Sequence, residues 1–164
     1  MRVWLLMALL LGAGVTPLRA QDGAVTVGSR APAVEVHDLD GRPVDLGRYL
    51  GKQPVFLGWW ATWCENCEAL LPRVRAARAA VGDRVAFFGI NVAVNQTPER
   101  VRRFLEKTEV PYRTLYDDEG VSTRAYGAPA TSYVVIVDRG GRVVYTGLGA
   151  EQDFLPVLRR VAAP

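Results

Sequence analysis

Residues Pro54 to Trp60, "PVFLGWW", form an almost unbroken apolar run of strand length. A strand apolar at nearly every position has no solvent face, so it belongs inside a sheet covered on both sides. Just beyond it the pattern turns helical. Leu70, Val74, Ala77 and Val81 recur on one helical face, and Gly82 marks the stop. A buried strand feeding a helix restricts the chain to architectures in which helices pack on a largely internal sheet.

The rest of the chain fits that frame. Ala24 to Gly51 reads as an N-terminal β-hairpin and connector: "AVEVHDL" alternates, Asp40–Gly41 is the turn, and "RPVDL" returns. "RVAFFGINV", Arg84 to Val92, is a second buried strand. "TPERVRRFLEKTEV" opens a helix with Thr97 as N-cap and Pro98 at the first helical position, and Val101, Phe104, Leu105 and Thr108 line one face. "DDEGVSTRAYG" reads as a short helix or turn. "TSYVVIVD" and "RVVYTGL" are two strands joined by a tight turn at Arg139 to Gly141. Phe154, Val157, Leu158 and Val161 mark a closing helix. Strands joined through helices are parallel neighbours, and strands joined by a tight turn are antiparallel. The expected fold is an α/β sandwich with a mixed sheet.

Length and charge narrow the function. The 164 residues suit one domain with a core of its own. The N-terminus stands apart: Arg2 precedes an apolar run from Val3 to Val15, and "TPLRA" leads to Gln21. That is a secretory leader with a short apolar region. Residues 1–20 are expected to be a signal peptide or an N-terminal membrane anchor, with the domain at 21–164. Outside the leader there are 18 basic and 17 acidic residues. That balance gives no ground for a nucleic-acid partner, and helical arginines such as Arg73, Arg75 and Arg78 read as a solvated face.

Export changes what the chain's two cysteines mean. Cys64 and Cys67 stand in "WATWCENC". A bridge across two residues closes almost no loop, so it adds little stability. Zinc wants four ligands, and the single histidine, His37, lies in the distant hairpin, where an exposed position is expected. A peroxidase would place a threonine differently from Thr62. Chemistry remains. Cys64 falls where a strand ends and a helix begins, and the free N–H groups and dipole there favour a thiolate. Cys67 lies one turn on, facing the same side. Cys64 can therefore attack a disulfide, and Cys67 can resolve the mixed disulfide. Trp63 reads as an apolar wall of this site and Trp60 as core beneath it. No metal or cofactor is expected beyond a redox-active Cys64–Cys67 disulfide.

"WATWCENC", Pro72 in the following helix and "YGAPAT" at Tyr126 to Thr131 resemble the thioredoxin fold. More narrowly, the chain is similar to the exported TlpA, ResA and DsbE group of thiol–disulfide oxidoreductases. The likeness extends through "GSRAPAVEVHDLDGRPVDL", "FFGINV", "VPYRTLYDDEG" and "YGAPATSYVVIVDRGGRVVYTG". The resemblance implies a thioredoxin-like sandwich with an N-terminal hairpin extension. It implies a cis peptide bond between Ala128 and Pro129, in a loop facing the dithiol. Ala128 would then offer free backbone to an extended client segment. The partners it implies are client proteins with disulfides, apocytochrome c being the most specific, and a membrane thiol donor for recycling, with residues 1–20 as a possible tether.

The match breaks at two places. Many relatives carry a carboxylate three residues after the second cysteine, where this chain has Leu70. Thioredoxin has a buried aspartate six residues before the first cysteine, where this chain has Gly58. Both carboxylates are thought to help the resolving thiol lose its proton. Glu65 and Glu68 are the local acids that remain. They suit the first turn of a helix, and they also place negative charge beside Cys64, which disfavours its thiolate and tilts the pair toward a reductant. The leading expectation is a disulfide reductase in the exported space. A disulfide-forming oxidant and a redox-independent client-binding or chaperone module stand as alternatives.

Overall fold

The computed structural model describes residues 24–163. The expected leader at 1–20 lies outside the described residues. Seven strands form one mixed sheet: β1 Glu35–His37, β2 Pro43–Asp45, β3 Val55–Trp60, β4 Ala86–Val92, β5 Arg113–Asp117, β6 Tyr133–Val137 and β7 Val143–Gly147. Their spatial order is β2-β1-β5-β4-β3-β6-β7. The helices are α1 Glu65–Val81, α2 Pro98–Leu105, α3 Val121–Ala125 and α4 Leu155–Val161.

The apolar run is indeed central. β3 is parallel to β4 on one side and antiparallel to β6 on the other. Its alternate residues feed two cores. Val55, Leu57 and Trp59 join Phe88, Ile90, Leu115, Val135 and the hairpin's Val36, Val44 and Leu46. Phe56 on the opposite face packs with Leu70, Val74, Ala77 and Val81 of α1 and with Phe154 and Leu158 at α4. The stripe expected on α1 is buried throughout, whereas α2 buries Val101 with Phe104 and Leu105 half-buried and ends before Thr108, and the closing helix buries Phe154 and Leu158 with Val157 and Val161 half-buried. Thr97 caps α2, its hydroxyl accepting from the Arg100 N–H at 3.2 Å.

Both tight turns use one device. The Asp38 carboxylate accepts from the N–H of Asp40 and of Arg42, each at 2.9 Å, while Gly41 takes φ 75°. Asp138 repeats this with the Arg142 N–H, and Gly141 takes φ 79°. Positive φ costs glycine nothing, so the hairpins close without strain.

Two features depart from expectation. The segment Arg113–Asp117 is a strand, β5, where no strand was read from the sequence. It pairs in parallel with β4 from Phe88↔Arg113 to Val92↔Asp117, and antiparallel to β1 at His37↔Tyr116. The hairpin is thus part of the main sheet. "RTLYD" begins and ends on charge and does not alternate, so its strand character comes from its two neighbours.

The second concerns Ala128–Pro129. No peptide bond among the described residues is cis, so this one is trans. Trans is the lower-energy isomer of an X–Pro bond, and this loop reverses by other means. Gly127 takes φ 57° and Ser132 takes φ 62°, and the Ser132 N–H is held by the Trp59 carbonyl at 2.8 Å. The Ala128 N–H is not free either, because it donates to Thr123 O at 2.9 Å.

At Gly89 close approach decides the residue. A Cβ placed there would lie 2.1 Å from the Tyr112 ring. Gly89→Ala is expected to cost about 1–3 kcal/mol through overpacking, because that ring is wedged beside Trp60. Chemical denaturation reads the loss as a lower midpoint with unchanged slope.

Candidate active site

β3 ends at Trp60, and Ala61 to Trp63 carry the chain to α1. Cys64 is the N-cap of α1, with extended backbone at φ −90°, ψ 100°. Its Sγ accepts from the Cys67 N–H at 3.1 Å. The two cysteines form a disulfide with S–S 2.06 Å and Cα–Cα 5.2 Å. The sequence expectation that this pair sits on one turn at a helix N-terminus is met. Cys64 is 8% exposed and Cys67 is half-buried, so accessibility in the disulfide state does not favour Cys64. Cys67 packs against Trp60 and lies 4.0 Å from the Trp59 carbonyl.

The loop that presents Cys64 is fastened from β4's far end. The Trp63 indole N–H donates to Val94 O at 2.9 Å, and Gln96 Oε1 accepts from the Thr62 N–H at 3.2 Å. Tyr116 in turn donates its hydroxyl to Gln96 O. Trp63 remains 46% exposed, whereas Trp60 is buried among Val101, Phe104 and Tyr112.

Trp63 separates two clefts. One, of about 210 Å³, is lined by Cys64, Cys67, Glu65, Glu68, Phe104 and Tyr112, among others. The other, of about 520 Å³, runs between Trp63, Val94 and the Ala128–Thr131 loop, with Asp118 and Glu119 at its edge. Pro129 is exposed and Ala128 half-buried on this second cleft. The structure thus brings Trp63, Ala128 and Pro129 onto one surface, and the two glutamates onto the first.

Asp117 was not singled out from the sequence. It is 3% exposed, and its carboxylate accepts from the N–H and the hydroxyl of both Ser122 and Thr123, at 2.8–3.2 Å. Ser122 Oγ also accepts the Trp59 indole N–H at 3.1 Å. This chain of bonds ties α3, and the loop that follows it, to the strand leading into the dithiol. The available signal was an aspartate five residues before a Ser-Thr pair, which reads as ordinary turn chemistry. His37 is half-exposed and pairs with Asp118 at 3.1 Å, and that hydrogen bond raises its pKa. Among the described residues no group of three or more His, Cys, Asp or Glu could hold a metal.

Comparison with known proteins now decides the family. The Redoxin family model matches residues 26–160. The chain belongs to the Redoxin family. Within it, this redoxin is 30% identical over 159 residues to the thiol–disulfide oxidoreductase ResA of Geobacillus thermodenitrificans, covering 93% of this chain and 90% of that protein. Among solved structures, a DsbE-like protein from Chlorobium tepidum superposes with a TM-score of 0.72 at 22% identity, over 85% of this chain and 99% of that one. A secreted Mycobacterium tuberculosis disulfide oxidoreductase homologous to E. coli DsbE has a TM-score of 0.66 at 26% identity, over 79% of this chain and 95% of its own. The redoxin therefore has the thioredoxin-like fold and is a thiol–disulfide oxidoreductase of the TlpA/ResA/DsbE group.

Proposed function

We propose that this redoxin is exported and reduces disulfides in other exported proteins, with apocytochrome c as the most specific client. Residues 1–20 direct export and serve as leader or tether. Cys64 attacks the client disulfide, Cys67 resolves the mixed disulfide, and a thiol donor in the membrane recharges the pair. The client segment lies along the cleft between Trp63 and Pro129, where Ala128, with its N–H engaged, offers its carbonyl.

The direction of electron flow rests on one observation. Glu65 and Glu68 both line the cleft that holds the two sulfurs, and both are exposed in the first turn of α1. Negative charge there opposes the Cys64 thiolate, and a less stable thiolate form makes the pair a stronger reductant.

The test is the reduction potential of Cys64–Cys67 in defined thiol buffers, read by the fluorescence of Trp60 and Trp63. A value near about −250 mV or lower is expected. A value near about −120 mV would make the protein an oxidant and overturn the proposal. Replacing both acids, Glu65→Gln with Glu68→Gln, should raise the potential by roughly 10–30 mV, since ~30 mV corresponds to about 1.4 kcal/mol in a two-electron couple.

A further inference from the structure

Gly58 and Leu70, the two positions without the carboxylate of relatives, line one small cavity of about 30 Å³ behind Cys67. Phe56, Val74 and Val134 form much of its wall, and no Asp or Glu lines it. The resolving thiol must lose its proton beside an apolar enclosure, and such surroundings oppose a thiolate.

On the same face of the sheet lie four buried side-chain atoms that have no hydrogen-bond partner: Trp60 Nε1, Asn91 Nδ2, Asn91 Oδ1 and Thr114 Oγ1. Strand register gathers them. Trp60 is opposite Asn91, and Asn91 is opposite Tyr116. Two residues back along the strands, Gly58 is opposite Gly89, and Gly89 is opposite Thr114. Neighbours across a rung and residues two apart along a strand share a face. Asn91 is fully buried, and burying an amide without partners is costly. A water bound among several such groups answers that cost.

Tyr112 connects this polar patch with the dithiol. Its ring lies over Gly89 and 6.0 Å from that of Trp60. It lines both the cavity behind Cys67 and the outer cleft that holds the two cysteines. Burial pushes its phenol well above the usual range, so it stays protonated and works as a donor and acceptor of hydrogen bonds.

We propose that Asn91, Trp60 and Tyr112 form a neutral polar seam that holds water and carries the Cys67 proton outward, in place of the carboxylate of relatives. This rests on the thiol–disulfide exchange described above. In the resolving step the Cys67 S–H gives its proton to the seam water, and the Cys67 sulfur bonds to Cys64 Sγ. The bond from Cys64 to the client sulfur breaks. That sulfur leaves with the electron pair and takes a proton from solvent. Over the full cycle two electrons and two protons pass to the client, and the protein is left with its Cys64–Cys67 disulfide. The three seam residues are positioning residues, since none touches the client.

The step can be timed with the reduced protein and the nitrobenzoate disulfide reagent, whose thiolate product is coloured. Attack by Cys64 releases one product thiolate, and resolution by Cys67 releases the second. In Tyr112→Phe and in Asn91→Leu the second release should slow about tenfold at neutral pH, the effect of a one-unit rise in the apparent pKa of Cys67. Its pH midpoint should rise, while the first release keeps its rate. Tyr112→Phe retains the ring over Gly89, so it tests the seam even if Asn91→Leu does not fold. An unchanged second release and pH profile in Tyr112→Phe would overturn the seam, as would equal slowing of both releases. Failure of the parent protein to give a second release would instead sink the exchange reading itself.

Discussion

Cys67→Ser is expected to accumulate client proteins bound covalently through Cys64, and Cys64→Ser to lose turnover by on the order of 10⁴-fold or more. The first result follows from what the substitution leaves behind. Cys64 keeps its place as N-cap of α1, and its sulfur can still attack a disulfide. With serine at 67 nothing intramolecular can displace the client, so the mixed disulfide persists until an outside thiol reaches it. The second result follows from the nucleophile. A serine hydroxyl carries no appreciable anion near neutral pH, and the helix terminus cannot close so wide a gap. Non-reducing electrophoresis of exported proteins should show ladders with Cys67→Ser that vanish on reduction and are missing from the double mutant. Exposure provides the competing assignment, because Cys67 is the more open of the two in the disulfide state. Were Cys64→Ser the variant that trapped clients, the roles would be reversed. A double mutant that still supported the protein's role in cells would point to the client-binding module instead.

The parts of the fold visible in the sequence are those whose residues carry their own reason. β3 announced itself because a strand buried on both faces is apolar throughout. α1 and α2 showed one-face spacing with a glycine stop and a Thr-Pro start. The dithiol was legible because strand end, cysteine spacing and helix start coincide within a few residues. β5 was not legible, because its strand character comes from pairing with β4 and β1 rather than from "RTLYD" itself. For the same reason Asn91 and Tyr112 went unnoticed: Asn91 matters through strand register, and Tyr112 through Gly89 and Trp60, more than twenty residues distant. Asp117 bonds locally, to Ser122 and Thr123, and reads in the sequence as ordinary turn chemistry. Family likeness misled at Ala128–Pro129. It carried over a cis bond and a free N–H, whereas this chain turns at Gly127 and Ser132 and bonds Ala128 N–H to Thr123 O.

Asp117→Ala should be the most damaging substitution outside the cysteines. The carboxylate is 3% exposed and takes four hydrogen bonds from Ser122 and Thr123. Alanine leaves two N–H groups and two hydroxyls at the start of α3 without that acceptor, at about 1–3 kcal/mol for each donor left buried and unpaired. The hydroxyls can rotate toward other acceptors, so a total of about 3–5 kcal/mol is expected, against a stability of about 5–15 kcal/mol for a domain. At roughly 2–4 °C per kcal/mol, the melting temperature should fall by about 10 °C. Activity should fall further than stability alone requires. α3 has five residues, too few to hold a helix unaided, and Ala128 hangs from it through Thr123 O. Loosening α3 therefore loosens Ala128 and Pro129 against Trp63, and client exchange should slow even well below the melting temperature, while attack on a small aromatic disulfide, which needs no cleft, stays near the parent rate. Asp117→Asn keeps one acceptor oxygen and should fall between the two. A melting temperature within about 2 °C of the parent for the alanine variant would show that the bonds around Asp117 do not hold this end of the molecule together.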